Sequence, residues 1–431
     1  MKSTALFFMI TVFLTGHAQQ KWSYGDCVEY ARKHNISLQQ SRLAVENSRL
    51  ALEEAKAQYE PTLSASTTHG LTNAPWKSDD DNTSYAANVG LNAGWTIWNG
   101  GERSNTIRRK EIQTKIDAFS ENSLMNTLEQ NILNLYVNIL YAKESIDISR
   151  EAAEVSAAQA KRARQLMEGG TMSKVDYAQL AALAEQDRYG VVSAEAAYNT
   201  QRMELKRLLE LKLDDDLALK EVEWSSEDVL MPLPDKNESY ELALTVDDLL
   251  HADKLQLEAS AYDEKIAKAS GLPSLSLNAG VGTSYSSLGG GVGSQLKRSF
   301  NENVGLTVNV PILNQRRTKV AVAQAKIQQL NASLDVQSRE NELSQAVESV
   351  YVDILSAQSR YEAGVAQVES ARLSDELVSA RFELGRVEPV ELLTAHNNLT
   401  KARRELLQAK YMAMLGKKQL EFLRTNTVDM P

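Results

Sequence analysis

The residue types that most often carry out chemistry are few in this chain, and they do not converge. The five histidines, His17, His34, His69, His251 and His396, are scattered. None stands at the His-Glu-x-x-His spacing that places two imidazoles on one helix face around a zinc ion. Cys27 is the only cysteine, so neither an intrachain disulfide nor a paired-cysteine metal site can form. No Gly-x-Ser-x-Gly elbow exposes a serine nucleophile. The glycine run Gly289-Gly290-Gly291-Val292-Gly293 has the composition of a phosphate cradle, but it opens no helix in the sequence pattern and no lysine follows at Walker spacing. The sequence predicts no catalytic residue, no metal site and no cofactor.

The chain instead contains a second copy of itself. Shifted by 215 residues, Gly90-Leu91 falls on Gly305-Leu306, Tyr136-Val137-x-Ile139-Leu140 on Tyr351-Val352-x-Ile354-Leu355, and Gly170 on Gly385. Upstream the shift is 212: Ala55-Lys56-Ala57 falls on Ala267-Lys268-Ala269, and Pro61-x-Leu63-Ser64 on Pro273-x-Leu275-Ser276. A period this long is far beyond that of a solenoid. It denotes two copies of a complete module, repeat 1 over residues 19–213 and repeat 2 over 238–431, with 214–237 as linker.

Composition sets the compartment. Lys2, an apolar stretch over 5–14 and Gly16-His17-Ala18 make a secretory signal over residues 1–18. The apolar stretch is too short to span a bilayer, which takes about 20 residues. The net charge is −10 and becomes one more negative if Lys2 is removed, which argues against nucleic acid as a partner. Cys27 lies on an apolar helix face and reads as a small buried hydrophobe.

Four segments alternate with period two, at about 62–72, 85–98, 274–285 and 303–313. In the second, Tyr85, Ala87, Val89, Leu91, Ala93, Trp95 and Ile97 alternate with small uncharged residues. One apolar face and one small polar face over about ten residues is the pattern of an outer-membrane strand. An ordinary sandwich strand alternates in the same way. Export, the absence of charge in the stronger runs and aromatic residues near strand ends favour the membrane reading. Four strands cannot close a barrel, since the smallest spanning barrels have about eight. An open edge in lipid would leave backbone groups unsatisfied, so the chain must borrow strands from its own copies, and three copies give twelve.

The elements between the strands are unusually long. Glycine and proline are absent from 102–168, and Gly364 alone interrupts 312–384. A continuous helix over the first run would extend about 100 Å. Apolar residues recur at steps of four and three, through Leu128, Ile132, Leu135 and Ile139, and again through Leu343, Val347, Val350 and Ile354. Long helices are predicted at about 101–168 and 315–384, returning at 173–211 and 389–424, with shorter ones at 25–59 and 239–270.

These features resemble those of the TolC-type outer-membrane efflux proteins, over essentially the whole mature sequence. Trp22-Ser23-Tyr24-Gly25-Asp26 looks like the family's opening helix signature, and Tyr59-Glu60-Pro61 and Leu272-Pro273 like its strand entry. Trp98-Asn99-Gly100-Gly101 and Pro311-Ile312-Leu313-Asn314 look like its strand-to-helix junction. The resemblance implies a mixed fold, a membrane β-barrel continued by an all-α barrel. It implies a homotrimer in outer-membrane lipid, most of its mass in the periplasm, docked to a periplasmic adaptor (membrane fusion protein) and an inner-membrane transporter. The chain would be the passive exit duct of a tripartite efflux pump for small molecules. A type I protein-secretion channel is the alternative within that reading, and a periplasmic coiled-coil spacer the alternative outside it.

The resemblance also assigns residues. Helix-turn-helix tips that meet the adaptor fall at Gly169, Gly170, Thr171, Leu384, Gly385 and Arg386. Acidic residues that narrow the closed pore fall at Asp176 and Glu391, while Thr394 stands where a second acid often follows. One carboxylate repeated around a threefold axis attracts cations. The same two residues also suit the first turn of a helix, where the helix dipole favours negative charge.

Overall fold

A computed structural model of the chain describes residues 21–76 and 83–430. The expected signal and the acidic loop tip Asp79-Asp80-Asp81 lie outside the described residues. In chain order the elements are α1 (Tyr24–His34), α2 (Ile36–Ala57), β1 (Thr62–Asn73), β2 (Thr83–Trp98), α3 (Glu102–Glu168), α4 (Lys174–Leu208), α5 (Ser226–Leu230), α6 (Lys236–Val246), α7 (Asp248–Ala269), β3 (Ser274–Ser286), α8 (Val292–Arg298), β4 (Asn301–Asn309), α9 (Arg317–Glu383) and α10 (Pro389–Thr425). The two longest helices, α3 and α9, have 67 residues each. Among the described residues, no helix is long and apolar enough to cross a membrane.

Two compact units are present, and each draws on both repeats. One comprises Gln40–Leu124 and Asp247–Leu343 and carries every strand; the other comprises Met1–Gln39, Met125–Val246 and Ser344–Pro431 and is helical.

In the strand-bearing unit the four strands form one antiparallel sheet in the order β1-β2-β3-β4. The hairpins β1-β2 and β3-β4 are therefore joined through β2 and β3, a pairing that neither hairpin specifies locally. The register keeps the apolar faces aligned across all four strands. Leu63 pairs with Ala93, Ala93 with Ala279 and Ala279 with Val304, while Trp95 pairs with Leu277 and Leu277 with Leu306. The polar set aligns likewise, Ser64 with Asn92 and Asn92 with Gly280. Since a slip of one residue would invert every side chain, this alignment fixes the register. One irregularity lies at the end of β2, where the pairing skips Ile97 and sets Trp98 opposite Leu275. That bulge moves Trp98 onto the apolar face in place of Ile97.

Two expectations need correction here. The strand expected over 303–313 ends at Asn309, because Pro311 has no N–H to donate to the ladder. The glycine run Gly289-Gly290-Gly291-Val292-Gly293, expected to open no helix, leads into the short helix α8, whose first residue follows Gly291. Gln295 on that helix donates to the carbonyl of Ser286 at 2.9 Å, which folds the loop back on β3.

The shorter helices also break where the sequence predicts single elements. Asn35 separates α1 from α2: its Oδ1 accepts from Leu38 N at 3.1 Å and its amide donates to Leu208 O at 3.2 Å. At the repeat-equivalent position, Asp247 caps α7 by accepting from Leu250 N at 2.7 Å. Short polar side chains that satisfy the first free N–H groups of a helix end the preceding one by competition.

The helical unit packs around Cys27, Ala31, Ile132, Leu133, Tyr136, Leu205, Leu209, Leu217 and Ala413, all buried. Each large side chain in that group contributes about 1.5–3 kcal/mol through burial. Cys27 is fully buried, as its position on the apolar face predicts, and burial pushes its thiol up to about 12. The segment between α4 and α6 is tied in by Tyr136, whose hydroxyl donates to Lys220 O at 2.7 Å. Gly416 lets α10 approach α9 closely: a Cβ there would lie 2.6 Å from Ile354 Cγ1.

Candidate functional site: helix tips and strand–helix junction

The tip residues are positioned by backbone hydrogen bonds at two helix ends. After α3, Gly170 takes φ +74°, which L side chains rarely adopt. Thr171 N then donates to Leu166 O at 2.9 Å, and the Thr171 hydroxyl donates to the same carbonyl at 2.9 Å. After α9, Gly385 takes φ +67° and Arg386 N donates to Arg381 O at 2.9 Å. Both turns thus close with the same left-handed residue and the same long bond, the mark of a Schellman ending. The two turns differ at their exposed crest, where Gly169 of the first repeat corresponds to Leu384 of the second, 67% exposed.

The carboxylates expected at the pore follow these turns. Ser173 caps α4 by accepting from Asp176 N at 3.1 Å, and its hydroxyl donates to Asp176 Oδ2 at 2.8 Å. Asp176 is therefore engaged in a helix cap, the local role that the sequence left open. Glu391 is free of such a bond. Its helix starts at Pro389 with Glu388 as N-cap and no side-chain cap, and Glu391 is exposed in the first turn. The hydroxyl of Thr394 donates back to Val390 O at 2.8 Å. Just inside the tips, Ala163, Leu180, Val378, Phe382, Leu392 and Ala395 form one buried cluster that draws on all four long helices.

In the strand-bearing unit, the junction residues make two versions of one turn. Gly100 and Gly101 take φ +67° and +84°, and a Cβ on Gly100 would meet Leu272 Cβ at 2.7 Å and Ala269 O at 2.9 Å. Glycine is the only residue that fits. Asn99 accepts from Glu102 N at 3.2 Å through its carbonyl and so starts α3. At the equivalent place, Asn314 accepts from Arg317 N at 3.0 Å, but the two left-handed residues are Gln315 at φ +55° and Arg316 at φ +64°. Pro311 precedes this turn and ends β4.

Two residues that the sequence did not single out carry much of this architecture. Arg103 is 5% exposed and lies in the first turn of α3. It donates to Gln58 O at 2.7 Å, Thr96 O at 2.8 Å and Ile97 O at 3.2 Å, with its guanidinium 3.8 Å from the centre of the Tyr59 ring. It clamps the end of β2 to the approach of β1. Its repeat counterpart is Thr318, so a repeat comparison flags the position but not its partners. His396, one of the scattered histidines, is 3% exposed, and its Nε2 lies 3.1 Å from Asp187 Oδ2. Among the described residues, no group of His, Cys, Asp and Glu could hold a metal ion.

With this geometry in hand, the comparisons with known proteins agree. The family model described as "Outer membrane efflux protein" matches residues 27–210 and 239–423, one match per repeat. Outer membrane efflux protein BepC of Brucella suis is 24% identical over 409 residues, covering 92% of this chain and 84% of that protein. Alkaline protease secretion protein AprF of Pseudomonas aeruginosa is 23% identical over 358 residues, 82% of this chain and 72% of that one. Among solved structures, CusC superposes with a TM-score of 0.81 at 17% identity, covering 93% of this chain and 92% of that one. The Campylobacter jejuni CmeC outer membrane channel gives 0.77 at 18%, covering 93% and 86%. The fold is TolC-like, and the chain belongs to the outer membrane efflux protein family.

Proposed function

We propose that this chain is one third of a homotrimeric duct that crosses the outer membrane and passes cargo from a periplasmic adaptor and an inner-membrane transporter to the outside. The observation that supports this most is the sheet. It has one continuous apolar face and two end strands, β1 and β4, with no strand partner on their outer edges among the described residues. In lipid each unpaired backbone group costs several kcal/mol, so an isolated four-stranded sheet is not a viable membrane structure. Three copies pair β4 of one with β1 of the next and close twelve strands.

The helical tips supply the periplasmic end of this reading. Leu384, Val390 and Val175 are exposed apolar residues beside the turns, and they suit a helical partner that covers them. Glu391 and Asp176, three of each in the trimer, form the acidic constriction, with Glu391 the stronger contributor because no cap bond engages it. The energy comes from the transporter; the duct itself performs no chemistry.

The test is assembly followed by conduction. Purified in detergent, the chain should run as a trimer and insert into planar bilayers as a pore of small closed-state conductance. Glu391→Gln with Asp176→Asn should raise that conductance and lower cation preference. A monomer extracted from broken cells without detergent would instead support the coiled-coil spacer. For cargo, the small-molecule reading follows the relative named as an efflux protein, while the relative named for protease secretion favours a protein substrate. Deleting the gene and scoring drug susceptibility against secreted protein separates the two.

A further inference from the structure

At the end of the sheet opposite the junctions with α3 and α9, the connection from β3 to β4 carries a pattern of its own. Leu288, Val292, Leu296 and Phe300 recur at every fourth residue, and all four are exposed. Lys297 and Arg298 lie among them, exposed as well, and neither makes an ion pair among the described residues, Glu302 at the start of β4 included.

Side-chain hydrogen bonds fix where this segment lies. The Gln295 amide accepts from Ser286 N at 2.8 Å and donates to Ser286 O at 2.9 Å, which holds α8 against the end of β3. Thr283 Oγ1 donates to Leu296 O at 2.7 Å. Alternate residues of a strand share a face, so Thr283 stands with Leu277, Val281 and Tyr285. α8 therefore rests on the apolar face of the sheet and not on the face of Asn92 and Asn278. That apolar face changes character at the same level. Thr67 on β1 pairs with Val89, Val89 with Thr283, and Val281 with Glu302 on β4. One step farther from the junctions, His69 hydrogen-bonds the Tyr85 hydroxyl, and the Tyr85 and Tyr285 rings lie 6.3 Å apart. Polar residues and tyrosines that follow an apolar band mark the boundary between hydrocarbon and headgroups. α8 lies at that boundary.

The other hairpin joins its strands without such a segment. Its connection, residues 74–82, is shorter and holds Asp79-Asp80-Asp81 and a single lysine, Lys77. The apolar residues and paired cations of the second connection are thus additions that strand pairing does not call for. A contiguous exposed apolar patch marks a surface that something covers.

We propose that α8 and its flanks are an interfacial anchor that binds phosphate-bearing lipid of the outer leaflet. The anchor rests on the duct reading, which puts the apolar face of the sheet in lipid. Val292 and Leu296 on α8, with Leu288 and Phe300 on either side, enter the acyl boundary beside the strands. Lys297 and Arg298 extend from it to the lipid phosphates, as long basic side chains do at a membrane surface. The guanidinium of Arg298 can take two phosphate oxygens at once, and Lys297 supplies a point charge. Apolar burial and charge attraction contribute separately, so each can be removed without the other.

The test reads lipid contact rather than transport. The full chain is placed in nanodiscs of phosphatidylcholine, alone or mixed with lipid A, and amide hydrogen exchange is followed by mass spectrometry. Peptides from 288–300 should exchange about tenfold more slowly with lipid A present. Salt at about 1 M, where the screening length falls to about 3 Å, should remove that difference. Lys297→Gln with Arg298→Gln should abolish it, while Lys297→Arg with Arg298→Lys should keep it. Val292→Ser leaves the Gln295 and Thr283 bonds in place and should speed exchange of these peptides in both lipids. Inorganic phosphate added to phosphatidylcholine nanodiscs should slow nothing. The anchor is overturned if lipid A has no effect, if its effect survives loss of both cations, or if inorganic phosphate reproduces it. It is also overturned if Val292→Ser changes nothing, or if replacing Asp79, Asp80 and Asp81 by asparagine removes the lipid A effect, which would assign the cations to the neighbouring hairpin. Strand peptides from 275–281 separate the two readings. Free exchange there in every nanodisc overturns the duct reading and the anchor with it, whereas protected strands beside a lipid-indifferent 288–300 overturn the anchor alone.

Discussion

Gln315 and Arg316 occupy a left-handed turn that the first repeat builds from Gly100 and Gly101. A left-handed non-glycine residue costs about 1–2 kcal/mol. Gln315→Gly and Arg316→Gly should therefore each raise the thermal midpoint, with a gain of up to about 1 kcal/mol after the added freedom of the unfolded glycine. Gly100→Ala should do the reverse, since its methyl would press on Leu272 and Ala269. Arg103 is the other decisive junction residue. Arg103→Ala leaves three carbonyls without their donor and should cost about 2–4 kcal/mol, read as loss of trimer yield on heating. Arg103→Lys should recover only part of that, because an ammonium cannot reproduce the fork. In the helical core, Glu129 is buried beside the Tyr24 hydroxyl at 3.3 Å, and burial raises its carboxyl above the ordinary range. The folded state then holds the proton more tightly than the unfolded state. Stability from this group is fully present below the ordinary carboxylate range and is lost as pH rises through the raised folded value. Glu129→Gln should remove that loss: its thermal midpoint should gain on the natural chain by about 1–2 °C between pH 5 and pH 8, measured by circular dichroism.

At the scale of elements, period-two alternation located all four strands, and freedom from glycine and proline located the long helices. Neither signal reached the details that decide their use. The skip at Ile97 is invisible to a strict alternation because Ile97 and Trp98 are both apolar, and only pairing with β3 decides which one joins the apolar face. The breaks at Asn35 and Asp247 follow from capping bonds that compete with helix continuation, and the cap at Asn35 is reinforced by a carbonyl far along the chain. The alignment of the apolar set yields a sharp contrast between adjacent positions on β4. Leu306→Arg, on the apolar face, should cost about 2–4 kcal/mol near the bilayer midplane and deplete the protein from outer-membrane fractions. Thr307→Arg, on the opposite face, should leave assembly intact and alter conductance instead. Equal depletion by both would reject the assignment of faces.

For the whole molecule, the duplication gives each compact unit matching elements from both repeats, and the places where the copies depart from one another mark its particular properties. The tip crest differs as glycine against leucine, and the junction as glycine pair against Gln315-Arg316. In a trimer these differences recur three times, so any effect at them is multiplied by symmetry. Chemical cross-linking of the natural chain should give dimer and trimer bands and nothing larger. A charged substitution on the β1 edge that blocks pairing should leave monomer with its helices still formed by circular dichroism.

The sequence by itself determined the duplication, the strand and helix identities, the glycine-containing turns that end the long helices, and resemblance to a family built this way. These are local or periodic properties, written in the spacing of apolar, glycine and proline residues. It did not determine that β2 pairs with β3, that Arg103 reaches three carbonyls, or that His396 meets Asp187. Apart from Thr96 and Ile97, which lie just before Arg103, those partners are far apart in the chain, and no local pattern ties one to another. The packing of one repeat against the other joins β2 to β3 and His396 to Asp187, while the return of the chain through β1 and β2 within the first repeat closes the Arg103 clamp.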